Sequence, residues 1–275
     1  MESADKMLIT GKATICLVNY KTLDLTRLCL RSIRKLTKYP YEVIVIDNNS
    51  RDDSLEYLKR LKWIRLIERQ DSKNSDVGYA HATGIDLGLA NCNTEFFVSM
   101  HSDTLVQKEN WLTELISYFD NDENIACVGS GKIEFIPTWR VLLKKATHFR
   151  AFKRKLLSEP DPNCKYRYYN RTMCCIYQTS ILRRENLSFL MGNDKRLTCG
   201  KKLYFELVDR GYKTVKLAPS IMGRYIIHLA HATQAINPQE FAPRKRTMKK
   251  YNRVLDKVMS RALFQNIVMD ESLDQ

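Results

Sequence analysis

No Gly-x-Gly-x-x-Gly run and no Walker A pattern occurs anywhere in the sequence. Such loops let backbone amides close on a pyrophosphate, so their absence disfavours a dinucleotide oxidoreductase or a P-loop NTPase. No uninterrupted apolar run approaches the roughly 18 residues that a bilayer-spanning helix needs, so none is expected. The opening MESADKMLITGKA has early acids and no apolar stretch, which predicts a short tail before the first strand rather than a secretory signal. The eight cysteines include no Cys-x-x-Cys pair, which argues against a zinc site. Cys16, Cys29 and Cys127 sit in apolar runs and read as small core residues, consistent with a reduced, cytoplasmic setting.

Acidic charge is also short: the formal net charge is +14. Residues 139–184 hold twelve Lys/Arg against two acids, and residues 243–261 hold eight against one. Basic character concentrated in two segments of the second half predicts an anionic partner there, either a phosphate-bearing acceptor or an anionic membrane surface. Nucleic acid fits less well, because no RNP-like or other nucleic-acid motif accompanies the charge.

What is present reads as an alternating α/β pattern. TICLVNY (14–20) is a β-branched apolar run, hence a buried strand. Asp24 is placed to cap a helix whose Leu25, Leu28, Ile33 and Leu36 recur at helical spacing, until Tyr39-Pro40 ends it. EVIVID (42–47) is a second strand, Asp52/Asp53 open a second helix to about Leu61, and residues 63–68 form a third strand. That order predicts a parallel sheet with helices on its faces. Asp47 closes its strand at the edge where such sheets take nucleotides; it also suits an Asx turn. NSDVGYAHATGIDLGL (74–89) follows, with Gly78 permitting close backbone approach and a helix from about Tyr79 to Ala90. Then EFFVSMHSDT (95–104) runs from buried apolar residues into His101, Ser102 and Asp103. A hard carboxylate oxygen and an imidazole there suit a divalent metal.

This succession resembles the inverting family 2 glycosyltransferases of GT-A fold: TICLVNY, an LRSI helix, VIVIDNNSRDDS, a glycine-containing loop and helix, then a strand ending in an Asp motif. The likeness covers roughly residues 12–130 and returns at about 199–234. It implies a Rossmann-like, mixed but mostly parallel sheet flanked by helices. One domain over residues 12–235 would divide into a nucleotide-sugar half (12–130) and an acceptor half (131–235), with a basic helical tail at 236–275. It further implies that Val18, Asn19, Tyr20, Asp47 and Asn48 cradle the nucleobase, and that Asp76 and Gly78 lie beside the nucleotide. His101, Ser102 and Asp103 take the place of the family's Asp-x-Asp motif. Asp103 keeps the metal-ligand position, whereas His101 replaces the first carboxylate and is assigned either to ribose or phosphate or to filling the space. The resemblance also points to a ligand in the segment after the last core strand, where both His228 and His231 qualify. The implied cofactor is Mn²⁺ or Mg²⁺, with an imidazole in the shell tilting the choice toward Mn²⁺.

An inverting transfer needs a base for the acceptor hydroxyl. The family's acidic position falls at 198–200, which here reads Thr-Cys-Gly. Asp194 is the nearest upstream acid; Glu206 is the alternative, although at mid-helix it is spaced to pair with Lys202 or Arg210. On the acceptor side, residues 139–157 read as a basic amphipathic helix, SEPDPN (158–163) as a loop, and Tyr166, Tyr168 and Tyr169 with Arg167 and Arg171 as a surface for sugar rings or an anionic acceptor. Residues 172–177 read as a strand. The tail at 244–264 carries Met248, Tyr251, Leu255, Val258 and Ala262 on one face, suited to docking on the domain or lying on an anionic membrane near a lipid-linked acceptor. Together these readings predict a metal-dependent transfer of a sugar from a nucleotide-diphosphate donor to a glycan, lipid-linked or protein hydroxyl. The alternative is a GT-A-fold binding protein without catalysis.

Overall fold

The computed structural model describes residues 7–70, 77–133, 168–191 and 197–275. The expected 139–157 helix, the 158–163 loop, Tyr166, Arg167, Asp76 and Asp194 lie outside the described residues.

A seven-stranded sheet carries the fold, in the order β3-β2-β1-β4-β7-β6-β8. Its strands are β1 (Ile9–Asn19), β2 (Tyr41–Asp47), β3 (Ile64–Glu68), β4 (Thr94–His101), then, beyond a short β5 (Thr104–Val106), β6 (Ile125–Ser130), β7 (Cys174–Gln178) and β8 (Lys213–Leu217). β3, β2, β1 and β4 are parallel neighbours, and β6 runs parallel to β8; β7 is antiparallel to both β4 and β6. A two-stranded ribbon pairs β5 with β9 (Ile226–His228). The sheet is thus mixed and mostly parallel, with helices on its faces, as the family resemblance implies.

Register explains where the chemistry collects. Asn19 pairs with Asp47, Asp47 with Glu68, and Val18 with His101, so the polar ends of four strands share one sheet edge. β1 sits between β2 and β4, and the chain's direction of winding reverses there. That reversal opens a crevice at the carboxyl ends of the strands, the usual ligand position in α/β sheets.

The helix Val77–Ala90 packs close to β1 because two of its glycines face that strand. A Cβ at Gly88 would stand 2.2 Å from Cys16 Sγ, and one at Gly84 3.0 Å from Val18 Cγ2. On the other face lies the helix Leu23–Leu36, which starts after Thr22, so Asp24 occupies its first turn rather than its cap. The cap expected at Asp52 is made, with its carboxylate accepting from Ser54 N–H at 3.1 Å. The tail helix is broken in two, Lys245–Met259 and Ala262–Met269, with Ser260 ending the first. Tyr251, Val254, Val258, Phe264 and Ile267 are buried in the same core as Leu17 and Leu28. The apolar face of the tail is therefore spent on the domain. Arg31, buried under the tail, forms an ion pair with Asp274 (2.6 Å), and Tyr57 donates to the same carboxylate at 2.7 Å. No helix among the described residues is long and apolar enough to cross a membrane.

Candidate functional site

Residues 95–104, expected to run as one strand into a polar turn, are divided between two sheets. β4 ends at His101, Ser102 and Asp103 make the turn, and β5 starts at Thr104. The break matters because β5 then pairs with β9 in antiparallel register, Thr104 opposite His228. Leu229 N–H donates to the Asp103 carbonyl at 3.0 Å, locking the two segments together. In consequence His101, Asp103 and His228 converge, with ligand-capable atoms all within 4.8 Å of one another. His228 Nε2 lies 3.2 Å from Asp103 Oδ1, and His101 Nδ1 lies 3.8 Å from the same oxygen.

Asp103 is 8 % exposed, and its Oδ1, like His228 Nδ1, has no hydrogen-bond partner. Leaving buried polar atoms unmatched is costly unless something else satisfies them. Two imidazoles and a carboxylate form a donor set suited to a divalent transition ion. The residues therefore fit a bound dication. Burial pushes the Asp103 carboxyl up, but the neighbouring His228, His101 and the Ala232 N–H outweigh it and hold the group well below the usual carboxylate range. Asp103 is thus an anion, the state a ligand requires. Burial, followed by the proximity of His81, lowers His101 well below its ordinary value and favours the neutral imidazole that binds metals. His101 Nε2 is fixed by the Thr172 hydroxyl at 3.1 Å.

His81, on the helix Val77–Ala90, packs edge-on to His101 with ring centroids 4.7 Å apart. Its Nε2 is buried without a partner, and burial brings its pKa to about 4. Neither His81 nor Thr172 is singled out by sequence. A histidine inside a helix carries no spacing signal of its own, and Thr172 is brought in only by the antiparallel pairing of β7 with β4. His231 stands outside the ligand set; it is exposed and follows β9 on a left-handed backbone.

Along the nucleotide edge, Asn19 and Asp47 are fully occupied with each other. Asn19 donates to Asp47 (2.8 Å), Ser50 and Ser54, and accepts from Thr22 and Thr26. Asp47 also accepts from the Ser50 hydroxyl at 2.6 Å and the Ser50 N–H at 2.9 Å. This network sets the shape of the edge from within. Val18 is buried beneath Gly84. Asn48 Oδ1 accepts from Arg69 at 2.8 Å, while its Nδ2 donates to the Ala80 carbonyl. Tyr20 is partly exposed; its hydroxyl donates to Glu240 at 2.8 Å and its ring meets Phe241 edge-on. Lys21 also binds Glu240, and Asn237 donates to the Lys21 carbonyl at 3.1 Å. Ser102 faces Thr22 at 3.5 Å, and Gly78 lies in the first turn of its helix.

At the expected base position, Thr198 shares a hydrogen bond with the Tyr169 hydroxyl (3.3 Å), and burial raises the Cys199 thiol to about 12. Gly200 takes φ +68°, and a side chain there would collide with Thr172. Glu206 lies 3.5 Å from Lys202 on its own helix. Tyr169 is flanked by the Arg171 and Lys201 cations at 5.2 and 5.3 Å.

A mixed, mostly parallel α/β sheet whose switch point meets a His-Asp-His cluster suits a glycosyltransferase of GT-A type. Residues 14–188 match the model of glycosyl transferase family 2, and the chain belongs to that family. It is similar to a chondroitin synthase of Pasteurella multocida (30 % identity over 115 residues) and to an uncharacterised glycosyltransferase of Haemophilus influenzae (25 % over 101). The matched segments span 41 % and 37 % of this chain but only 11 % and 30 % of those proteins. Among solved structures, a mannosyltransferase from Pyrobaculum calidifontis, in complex with GDP-Man and Mn²⁺, superposes with TM-score 0.53 at 15 % identity, over 95 % of this chain and 69 % of that one. TarS 1–349 of S. aureus gives 0.51 at 12 %, over 94 % and 75 %. At those identities the likeness is one of fold.

Proposed function

We propose that this chain transfers a hexosyl or deoxyhexosyl group from a nucleotide-diphosphate sugar to a hydroxyl acceptor, with inversion, in a reaction dependent on Mn²⁺. The observation that carries the reading is the convergence of His101, Asp103 and His228, with unpaired buried atoms, at the sheet's switch point. A dication bound there neutralises charge developing on the departing nucleoside diphosphate. Two nitrogen donors favour Mn²⁺ over Mg²⁺, which prefers oxygen, and the mannosyltransferase of like fold was crystallised with Mn²⁺ and a nucleotide sugar. Val18, Tyr20, Asn48 and Gly78 are assigned to the nucleotide, with the Asn19–Asp47 network behind them, and Asp76 is assigned to it from its place in the sequence alone. Ser102 holds the turn between His101 and Asp103. Residues 12–235 act as the transferase domain.

Tyr169, Arg171 and Lys201 suit a sugar or anionic acceptor: a glycan, a lipid-linked chain or a protein hydroxyl. Because the tail's apolar face is buried, any contact with the cytoplasmic membrane face would be electrostatic, through the exposed Lys245, Arg246, Lys249 and Arg253. The product would then belong to glycan biosynthesis. A second reading, a nucleotide-sugar binding protein without turnover, is favoured by one observation: Thr198, Cys199 and Gly200 stand where the family places its acid.

The two separate in one experiment. A panel of UDP-, GDP- and dTDP-sugars is screened with Mn²⁺ for thermal stabilisation, then for release of nucleoside diphosphate. Stabilisation with release supports the transferase; stabilisation without release supports the binding protein; neither, with any donor, defeats both.

A further inference from the structure

The turn after β9 is strained, and the strain has a beneficiary. Ala230 and His231 are consecutive residues at φ +55° and +62°. That region is unfavourable for residues bearing a Cβ, and such outliers persist where surrounding contacts over-determine them. Here the anchoring contact is to Asp103: Leu229 N–H donates to its carbonyl at 3.0 Å. His231 follows that anchor by two residues. Its carbonyl accepts from Ala235 N–H at 3.0 Å, starting the helix Ala232–Ile236. The backbone is thus tied to Asp103 on one side and to the start of a helix on the other, while the imidazole is exposed and makes no hydrogen bond among the described residues.

Asp194 lies outside the described residues, and the other candidates for the acceptor's base among the described residues are engaged elsewhere. Glu206 faces Lys202, Thr198 faces Tyr169, and no carboxylate stands at 198–200. We propose that His231 is the catalytic base of the transfer, presented at the exposed edge of the site by the strained turn rather than serving as a metal ligand. The proposal rests on the transferase reading. In the step, an imidazole nitrogen takes the proton of the acceptor hydroxyl as its oxygen bonds to the anomeric carbon. The bond from that carbon to the diphosphate oxygen breaks, and its electron pair leaves with the nucleoside diphosphate. The imidazolium then returns the proton to solvent. The charged groups that act electrostatically on His231 are Lys132, Lys250, Asp103 and His228. Partial desolvation of the ring, then Lys132 and Lys250, lower its pKa and so favour the neutral imidazole.

Water as acceptor makes the test independent of the natural one. Release of nucleoside diphosphate from the stabilising nucleotide sugar is measured with Mn²⁺ for the wild type, His231→Asn and His231→Ala. Asparagine tolerates left-handed backbone, so His231→Asn preserves the turn. The expected result is a kcat at least ~100-fold lower in both variants, the usual scale for loss of a general base. KM is expected to hold, the wild type's acid limb to disappear from the pH profile, and the Mn²⁺-induced rise in Tm to survive. Added imidazole is expected to restore part of the His231→Ala rate. Unchanged kcat in folded His231→Asn overturns the proposal, as does loss of the Mn²⁺ shift in both variants, which would make His231 a ligand. A wild type that binds donors yet releases nothing defeats the transferase reading itself.

Discussion

Asp103 Oδ1 stands 3.2 Å from His228 Nε2, yet that oxygen has no hydrogen-bond partner. The two residues are far apart in sequence and meet because β5 and β9 pair. Such an ill-aligned close approach between buried groups suits two ligands that share an ion. His228→Ala is accordingly expected to weaken Mn²⁺ binding at least ~10-fold, the scale of losing one metal-site partner. The measurement is calorimetric titration of the protein with MnCl₂ alone, compared with His231→Asn, which should titrate like wild type.

Glu240 links the tail to the nucleotide edge by holding both Tyr20 and Lys21. Glu240→Gln weakens that grip without opening a hole. The expected result is a several-fold higher donor KM with kcat little changed, as for loss of uniform binding. Steady-state kinetics over donor concentration check it; a fall in kcat at constant KM would place Glu240 in another role.

Gly88 faces the buried Cys16 thiol, which an added Cβ would meet at 2.2 Å. Gly88→Ala is expected to destabilise by about 1–3 kcal/mol through overpacking. Cys16→Ala in the same chain should recover part of that loss, because it vacates the colliding atom. A denaturant double-mutant cycle measures the coupling. An additive cycle would show that the helix Val77–Ala90 has shifted instead.

The Arg31–Asp274–Tyr57 cluster fixes the chain's last turn to the helix Leu23–Leu36. Burial pushes the Asp274 carboxyl up, but its bonds to Arg31 and Tyr57 outweigh this and leave it lowered. A carboxylate lowered in the folded state contributes stability above its unfolded pKa of about 4, and that contribution is lost as pH falls through the folded value. Asp274→Asn should therefore cost about 2 kcal/mol at neutral pH and progressively less in acid. Urea unfolding of both proteins from about pH 7 down to about pH 3 tests the convergence.

The parallel half of the sheet was legible because β-branched runs such as Thr14–Val18 and Val43–Ile46 announce buried strands, and Asp47 and His101 end theirs with polar groups. The position of Asp103 in the polar turn just past that strand end was legible as well. The choice between His228 and His231 was not, because it depends on the β5–β9 register and on two left-handed residues that no local pattern encodes. The tail's break at Ser260 was equally hidden, since its apolar stripe continues through both helices. Asp47 shows the limit in another way. Its place at the strand end is plain in the sequence, but that its carboxylate is consumed by Asn19 and Ser50 follows only from folded geometry.

The central claim is that a metal held by Asp103 supports sugar transfer. The direct measurement is nucleoside diphosphate release from the stabilising nucleotide sugar by wild type and Asp103→Asn, each with Mn²⁺ and with EDTA. The expected result is turnover by wild type with Mn²⁺, a loss of at least ~100-fold in EDTA, and a similar loss in Asp103→Asn that Mn²⁺ does not repair. Equal turnover by wild type and Asp103→Asn, unaffected by EDTA, would contradict it.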